Sequence, residues 1–447
     1  MNPAGVLGVP QMNPVAAKEG VTVDVDTDPD VTPEASRDDR DMSAETTMHA
    51  LLLRLAGSLS DRVLTDARDA LAAGRRLEVV QAVAFAAVSQ PLQLAPDEIV
   101  ALREELALGG GDIDLALELE ELRGERPPAP WLFLSALPAT QDDAALVVSP
   151  QDRSGDPADV LDPVDRALVE AASAVPGVRA VWRAWRMPPS AQPWHDPVRV
   201  AVVSVDDTVD NLPALTVHLR RSMVAAGDTE AQAEVCWAGL DAPYYQTLAR
   251  SCGTLLWAAR PVAPITTARV FDGVDPVRGP WFATNRPVVS DTTARDDLLA
   301  ALRAGLVIAW SSTAMADILA PERGDVVPLH LRTDGTWVWS EAVAYYLENY
   351  GLAPDPELAA HLAGLPAGAE PAEPLDEISV HRALAYLYRC PSETAVWQVP
   401  GADDSPVPRA DATSSDATSS DVPLPGDAAP ANPWLSDAAP GAKLEIP

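Results

Sequence analysis

Apolar residues recur at helical spacing from Met48 onward and predict a small helical bundle over residues 46–126. Met48, Leu51, Leu52 and Leu55 lie on one face of a first helix, and further helices follow after short loops. Gly57 is placed where a helix C-cap belongs. Loops this short force neighbouring helices to run antiparallel, so the pattern predicts a compact module of the kind used for docking or dimerisation.

A different pattern begins after the prolines at 127, 128 and 130, which mark a stiff break in the chain. Short apolar runs at 131–137, 178–186, 198–205 and 233–238 predict strands, and apolar residues at helical spacing lie between some of them. The resulting order, βαββαβ, predicts a ferredoxin-like module within residues 127–260.

Residues 261–400 predict a second mixed α+β region. Its clearest local signal is Asp334-Gly335 between two short strands, which favours a type I′ hairpin turn. Ser340 then caps a helix that Gly351 ends. The predicted fold class is therefore α+β and multidomain: bundle, ferredoxin-like module and mixed region between two disordered tails.

The two tails lack the periodicity of a packed segment. Residues 1–45 read as a disordered leader, and residues 401–447 consist largely of Asp, Ser, Thr, Pro and Ala. The far end reintroduces apolar residues at Pro433, Trp434 and Leu435, followed by Leu444 and Ile446. A tryptophan in a disordered tail contributes free energy only when its ring is buried against another surface. This peptide therefore predicts docking within or between molecules, with an incidental tail as the alternative.

The net charge of the chain limits the classes of molecule that it is expected to bind. Sixty-six acidic residues against 32 basic ones give a formal net charge of −34. Such a surface repels nucleic acid and anionic lipid, and it favours protein partners with basic surfaces. Three cysteines without a C-x-x-C pair, and no long apolar run, indicate a cytoplasmic protein that does not span a membrane.

Lysine occurs only at positions 18 and 443, in the two tails. A body without lysine excludes the Walker A loop, the pyridoxal Schiff base and the receiver-domain site, which all require a primary amine. A genome rich in G and C explains the bias toward arginine without any selected function.

Other candidate chemistry also favours ordinary structural roles. Asp206-Asp207 follows a strand, as in phosphotransfer sites, but it lacks their partner residues and is better explained as a helix cap or loop. Cys236 and Cys252 lie in predicted regular structure and are expected to be buried, and His195 is a loop residue without metal-ligand spacing. No catalytic, metal or cofactor site is predicted.

An aromatic group in the C-terminal region offers a possible ligand groove. Trp337, Trp339 and Tyr346, with Arg332 and Asp334 beside them, could line such a groove, with Arg286 and Arg295 as further anion clamps. The other interpretation is a core between a hairpin and the helix that follows it.

One stretch supports a family resemblance. The V-R-A-V-W strand at Val178–Trp182 and the P-Y-Y motif at Pro243, Tyr244 and Tyr245 frame residues 161–245, about a fifth of the chain. This stretch resembles the C-terminal domain of the enhanced-serine-sensitivity protein family. The family implies an α+β fold and no established catalytic residues.

Two functions follow as hypotheses. The first is a non-catalytic adaptor or regulatory protein whose C-terminal peptide docks a partner. The alternative is a small-ligand-binding protein or enzyme that uses the C-terminal α+β region.

Overall fold

A computed structural model describes residues 37–90, 92–137, 149–188, 196–275, 277–364, 375–389, 397–402 and 444–445. The chain divides into two compact units. The N-terminal unit comprises Glu34–Ala263 and Asp376–Arg389, and the C-terminal unit comprises Pro264–Leu375 with the described residues beyond Cys390. Both are mixed α+β structures, as the sequence predicts. No described helix is long and apolar enough to cross a lipid bilayer.

The N-terminal unit begins with five helices. They are α1 (Arg37–Leu55), α2 (Asp61–Ala72), α3 (Arg76–Ser89), α4 (Pro96–Leu108) and α5 (Ile113–Glu121). Ser60 and Asp112 cap α2 and α5 through their side-chain oxygens. Glu98 reaches back to the backbone N–H of Ala95 at the start of α4, at 2.9 Å. Each cap satisfies a backbone donor that the first helical turn leaves free.

The first helix starts earlier than the sequence predicts. The leader was expected to extend to residue 45, but α1 already begins at Arg37. Residues 37–45 carry no apolar periodicity that would indicate a helix. Extending a helix costs little free energy once its apolar part is anchored. Polar residues can therefore continue the helix without any apolar periodicity of their own.

The remaining elements of this unit form one sheet and its covering helices. The strands are β1 (Leu132–Leu134), β2 (Gln151–Asp152), β3 (Val178–Met187), β4 (Val198–Val205), β5 (Gln232–Trp237) and β6 (Thr254–Ala258). The helices are α6 (Pro163–Ser173), α7 (Leu212–Ala225), α8 (Tyr244–Ser251) and, from much later in the chain, α12 (Glu377–Arg389).

The order of the strands differs from the ferredoxin-like prediction. The sheet runs β2-β6-β3-β4-β5, with β1 paired to one end of β3. In a split βαβ arrangement, a third strand separates the two strands that a helix connects. Here β4 and β5, which α7 connects, are direct parallel neighbours. Element order alone cannot distinguish the two arrangements, because strand pairing depends on contacts distant in sequence.

Both faces of the central strands are buried. Ala180, Trp182 and Ala184 of β3 belong to one core with residues of α1–α5. Val181, which alternates with them, belongs to a second core with residues of α6 and α7, and so does Val178, which lies beyond a register shift between Val178 and Ala180. Side chains of a strand point alternately to its two faces, so β3 and β4 form a middle layer between two sets of helices. The helices predicted as a bundle therefore share a continuous core with the sheet.

The C-terminal unit is built from shorter elements around a single core. Its helices are α9 (Thr292–Ala304), α10 (Glu341–Tyr350) and α11 (Pro356–Ala363). Its strands are β7 (Thr266–Thr267), β8 (Gly273–Asp275), β9 (Gly279–Trp281), β10 (Leu306–Ser311), β11 (Ala314–Ala316), β12 (Asp325–Pro328), β13 (Leu331–Thr333), β14 (Trp337–Ser340), β15 (Trp397–Gln398) and β16 (Leu444–Glu445). The largest sheet has the order β16-β10-β13-β14-β7.

The predicted hairpin is present, with a longer turn than expected. Thr333 pairs with Val338 across β13 and β14, which leaves four residues in the loop rather than two. The carboxylate of Asp334 accepts hydrogen bonds from the backbone N–H groups of Thr336 and Trp337, at 2.9 and 2.8 Å. Gly335 has φ +90°, a conformation that glycine adopts without strain. The Asp-Gly signal located the reversal, while the aspartate side chain organised a wider loop.

Candidate peptide-docking site

The described end of the C-terminal tail lies against a sheet edge. Leu444–Glu445 forms β16, which pairs antiparallel with β10 through Trp310↔Glu445 and Ser311↔Leu444. The predicted docking residues Pro433, Trp434 and Leu435 lie outside the described residues. The part of the tail that the structure describes thus adds a strand to the C-terminal sheet.

Strand β10 is the receiving edge, and its sequence explains why it forms. Leu306–Ser311 is an apolar run that follows directly after α9, and β13 pairs with its other side. The β10–β13 register shifts between Val307 and Ala309, as at a β-bulge. An edge strand presents unpaired backbone groups that can template the addition of another strand. The bulge is a feature that proteins commonly place at such edges.

Trp310 gives this edge an exposed aromatic side chain. Its side chain is 44% exposed and packs edge-to-face on the ring of His330, with the ring centroids 4.5 Å apart. His330 Nδ1 in turn accepts a hydrogen bond from the backbone N–H of Ser311, at 3.0 Å. The contact with His330 positions the indole of Trp310, the residue of β10 that pairs with Glu445. An incoming strand therefore meets backbone groups and a positioned tryptophan together.

The aromatic residues predicted to line a ligand groove are buried in the core. Trp337, Trp339 and Tyr346 are 8%, 1% and 2% exposed and pack in the C-terminal core. Trp339 Nε1 donates to the carbonyl of Leu302 at 3.1 Å. The hydroxyl of Tyr346 accepts from the backbone N–H of Ile318 at 3.3 Å. The polar atoms of Trp339 and Tyr346 are thus used inside the unit, and all three rings belong to its core.

The charged residues predicted beside them are also bound by protein groups. Arg332 donates through Nε to Glu341 at 2.7 Å and through Nη1 to the carbonyl of Gly305 at 2.7 Å. Asp334 contacts His361 Nε2 at 2.5 Å through the oxygen that does not cap the turn. Arg286 donates to the carbonyl of Ala353 and to Asp272. Arg295 lies in α9 and is half-buried.

A buried carboxylate that sequence reasoning missed lies in the same unit. Asp317 is fully buried, accepts hydrogen bonds from the hydroxyls of Tyr345 and Tyr350, and pairs with Arg323 at 3.4 Å. Burial acts to raise the pKa of Asp317, but the hydrogen bonds from the two tyrosines and the backbone outweigh it and lower the pKa. Burial and the contact with Asp317 raise the pKa of Tyr345 to about 12. Asp317 and Tyr345 are 28 positions apart in the sequence, so no local spacing predicts this cluster.

A second buried charge cluster lies in the N-terminal unit. Asp165 is 2% exposed and pairs with the buried Arg183 and Arg199. Arg199 also binds Asp228 at 3.0 Å and stacks over the ring of Trp185, with its guanidinium carbon 4.4 Å from the ring centroid. Planar guanidinium groups suit such buried, multiply bonded positions. These ion pairs connect α6 to the sheet.

Reactive side chains have structural surroundings. Burial raises the pKa of Cys236 and of Cys252 to about 11, so both remain thiols near neutral pH. Asp206 pairs with Arg179 at 3.3 Å. His195 lies outside the described residues. Within the described ranges, no group of three or more His, Cys, Asp or Glu side chains is arranged to hold a metal ion.

Comparisons with protein-family models, with curated proteins and with solved structures found no match to this chain.

Proposed function

We propose that this chain is a non-catalytic adaptor or regulatory protein of the cytoplasm whose C-terminal peptide docks by adding a strand to a sheet edge. The pairing of Leu444–Glu445 with β10 is the observation that carries the proposal. Strand addition gives affinity through main-chain hydrogen bonds and selectivity through side-chain contacts, here at Trp310. The resemblance of residues 161–245 to the enhanced-serine-sensitivity family, which implies no established catalytic residues, agrees with this function.

The tail and the edge form two halves of one interaction. Forty-one residues separate Ala402 from Leu444, so the peptide is tethered to its own unit at some distance along the chain. A tethered peptide competes with any free peptide at the same edge, because the tether raises its local concentration. The peptide in its released form is available to a partner, and the vacated edge is available to a partner's strand. The net charge of −34 favours partners with basic surfaces.

Ligand binding by the C-terminal unit remains the alternative function. The aromatic side chains proposed to line its groove are buried, and Arg286 and Arg332 already bind protein groups. An anionic ligand would have to displace those partners. Thermal-shift measurements with nucleotides and metabolites test this alternative, and a clear rise in the unfolding temperature would revive it.

The docking proposal is tested by removing residues 430–447 and measuring binding of a fluorescent peptide that spans residues 440–447. We expect the truncated chain to bind the peptide more tightly than the intact chain, because the intact tail competes for the edge. Trp310→Ala in the truncated chain should weaken binding by roughly tenfold. Phe85→Ala is the matched control, since Phe85 is 69% exposed in the other unit and should leave binding unchanged.

Two results would overturn the proposal. Equal peptide binding by truncated, intact and Trp310→Ala chains would show that β10 is not the receiving edge. A truncation that changes neither the partners recovered nor the oligomeric state would remove the tail from the function altogether.

A further inference from the structure

An apolar groove lies on the surface of the N-terminal unit between α4 and α5. It has a volume of about 420 Å³, and its lining includes Val100 and Ala107 from α4 and Ile113 and Ala116 from α5. Val100 and Ala107 are two turns apart on one face of α4, and Ile113 and Ala116 are one turn apart on α5. The helices therefore present matched apolar faces across the groove.

The apolar side chains of this surface are open to solvent. Val100 and Ile113 are 49% and 75% exposed. Leu117, one turn beyond Ile113 on α5, is 60% exposed, and Leu108 at the end of α4 is 77% exposed. Single exposed apolar residues are ordinary, but several on adjoining helices mark a surface that another molecule covers. The core of the unit does not need them, because Ile99, Leu102, Leu106 and Leu119 already face inward.

The surroundings of the groove are strongly acidic. Residues 96–125 contain ten acidic residues and two arginines. Both arginines, Arg103 and Arg123, pair with Glu120. Glu104 lines the groove and Glu118 is exposed on α5, and neither makes an ion pair within the part of the chain that the structure describes. The rim therefore carries excess negative charge that an occupant can neutralise.

From this combination we infer that the α4–α5 groove binds a basic amphipathic helix of a partner protein, with apolar residues in the groove and Lys or Arg over the acidic rim. Helix-in-groove recognition uses apolar anchors at i, i+3, i+4 and i+7, and α4 with 13 residues is long enough to lie along about three turns of such a helix. A second copy of this chain fits poorly, because two grooves with the same acidic rim repel each other. The groove and β10 belong to different units, so this inference does not depend on the proposal that the tail docks on β10.

The test uses the full chain and a fluorescent helical peptide of leucine and lysine about four turns long, with leucine at i, i+3, i+4 and i+7. Any cationic peptide is attracted to a chain of net charge −34, so binding alone proves little. The decisive comparison is Val100→Ser with Ile113→Ser, which removes the apolar anchors and leaves every charge in place. We expect this double variant to weaken binding by about tenfold or more.

Matched controls separate groove binding from general attraction. Val277→Ser changes a side chain that is 95% exposed elsewhere and should leave affinity unchanged. Glu104→Gln with Glu118→Gln should weaken binding mainly at low salt, because exposed charges are screened at high ionic strength. A peptide with the same residues in an order that is not amphipathic should bind at least about tenfold more weakly.

Three outcomes would overturn the inference. The peptide could bind the Val100→Ser, Ile113→Ser variant as well as it binds the unchanged chain. The non-amphipathic peptide could bind equally well. The serine variant could also convert a dimer of the chain to a monomer in light scattering, which would assign the groove to a second copy. Circular dichroism of each variant checks that the helices remain folded.

Discussion

The two units of this protein bury polar groups in different ways. The N-terminal unit places Arg183, Arg186 and Arg199 inside and pairs them with carboxylates. The C-terminal unit surrounds its buried carboxylate, Asp317, with tyrosine hydroxyls and packs its core with aromatic rings. Removing one partner of a buried ion pair destabilises the fold because it leaves an uncompensated buried charge. Removing a ring from an aromatic core destabilises the fold because it leaves a cavity. The same chain therefore contains two kinds of vulnerability.

The largest expected effect is in the aromatic core. Trp339→Ala removes a ring that is 1% exposed and orphans the carbonyl of Leu302, so we expect a loss of about 5 kcal/mol from the stability of the C-terminal unit. Trp310→Ala, at a tryptophan that is 44% exposed, should cost less than about 1 kcal/mol. Hydrogen exchange followed by mass spectrometry assigns the loss to one unit. A loss spread equally over both units would contradict the separation.

The next effect tests the buried arginines. Asp165→Asn leaves Arg183 and Arg199 without their shared carboxylate, and we expect about 3–5 kcal/mol of destabilisation confined to the N-terminal unit. Asp156→Asn breaks a more exposed pair with Arg153 and should change stability by less than about 1 kcal/mol. Urea denaturation of both variants measures the difference. Equal midpoints would show that the buried cluster contributes no more than an exposed pair.

Acid should affect the N-terminal unit first. Burial lowers the pKa of His49 from 6.5 to about 4, although its hydrogen bond to the Val235 carbonyl opposes this, and burial also lowers the pKa of His381. Between pH 6.5 and pH 4 the unfolded chain therefore binds more protons than the folded unit does. The stability that neutral His49 contributes is fully present above pH 6.5 and is lost as the pH falls toward 4. His49 alone accounts for about 3 kcal/mol.

The variant His49→Gln tests this dependence, because glutamine keeps a donor for Val235 and cannot titrate. Urea midpoints at pH 7 and pH 4.5 should differ less for this variant than for the unchanged chain. His218→Gln, at an exposed position on α7, is the control. An unchanged pH dependence in His49→Gln would assign the acid sensitivity to other groups.

The smallest effect concerns Asp317. Because its pKa is lowered in the folded unit, its contribution is complete above the unfolded value near 4 and is lost as pH falls below it. Asp317→Asn should cost about 1.5–3 kcal/mol at neutral pH, since charge-assisted hydrogen bonds from Tyr345 and Tyr350 are weakened. It should also flatten the loss of stability as the pH falls below about 4. A variant as stable as the unchanged chain at pH 7 would show that the tyrosines do not depend on the charge.

Local signals in the sequence predicted local structure well. The helical spacing predicted helices in the region of α2 to α5. Strand β4 and the Ser340 and Gly351 ends of α10 also appear where expected. In each case the deciding interaction lies within a few residues, as when the Ser340 hydroxyl accepts from the N–H of Ala342. The docking residues 433–435 stay a prediction, because they lie outside the described residues.

Longer-range features could not be predicted in the same way. The helix α12 follows the C-terminal elements along the chain but belongs to the N-terminal unit, where His381 contacts the carbonyl of Gln151 at 2.9 Å and Arg382 pairs with Asp152 at 3.4 Å. These partners are more than 200 residues away. The groove between α4 and α5 had a signal, since Val100, Ile113 and Leu117 depart from the inward apolar pattern, but only the packing of the two helices places them together.

The sequence by itself determined the α+β class, many element positions, the acidic net charge and the absence of lysine between positions 18 and 443. Those properties depend on composition, or on interactions between residues a few positions apart. Only the tertiary structure decided which strands are neighbours, that Trp337, Trp339 and Tyr346 are core, and that Leu444–Glu445 pairs with β10. Those outcomes depend on contacts between surfaces that are distant in sequence, and no fixed spacing along the chain reveals such contacts.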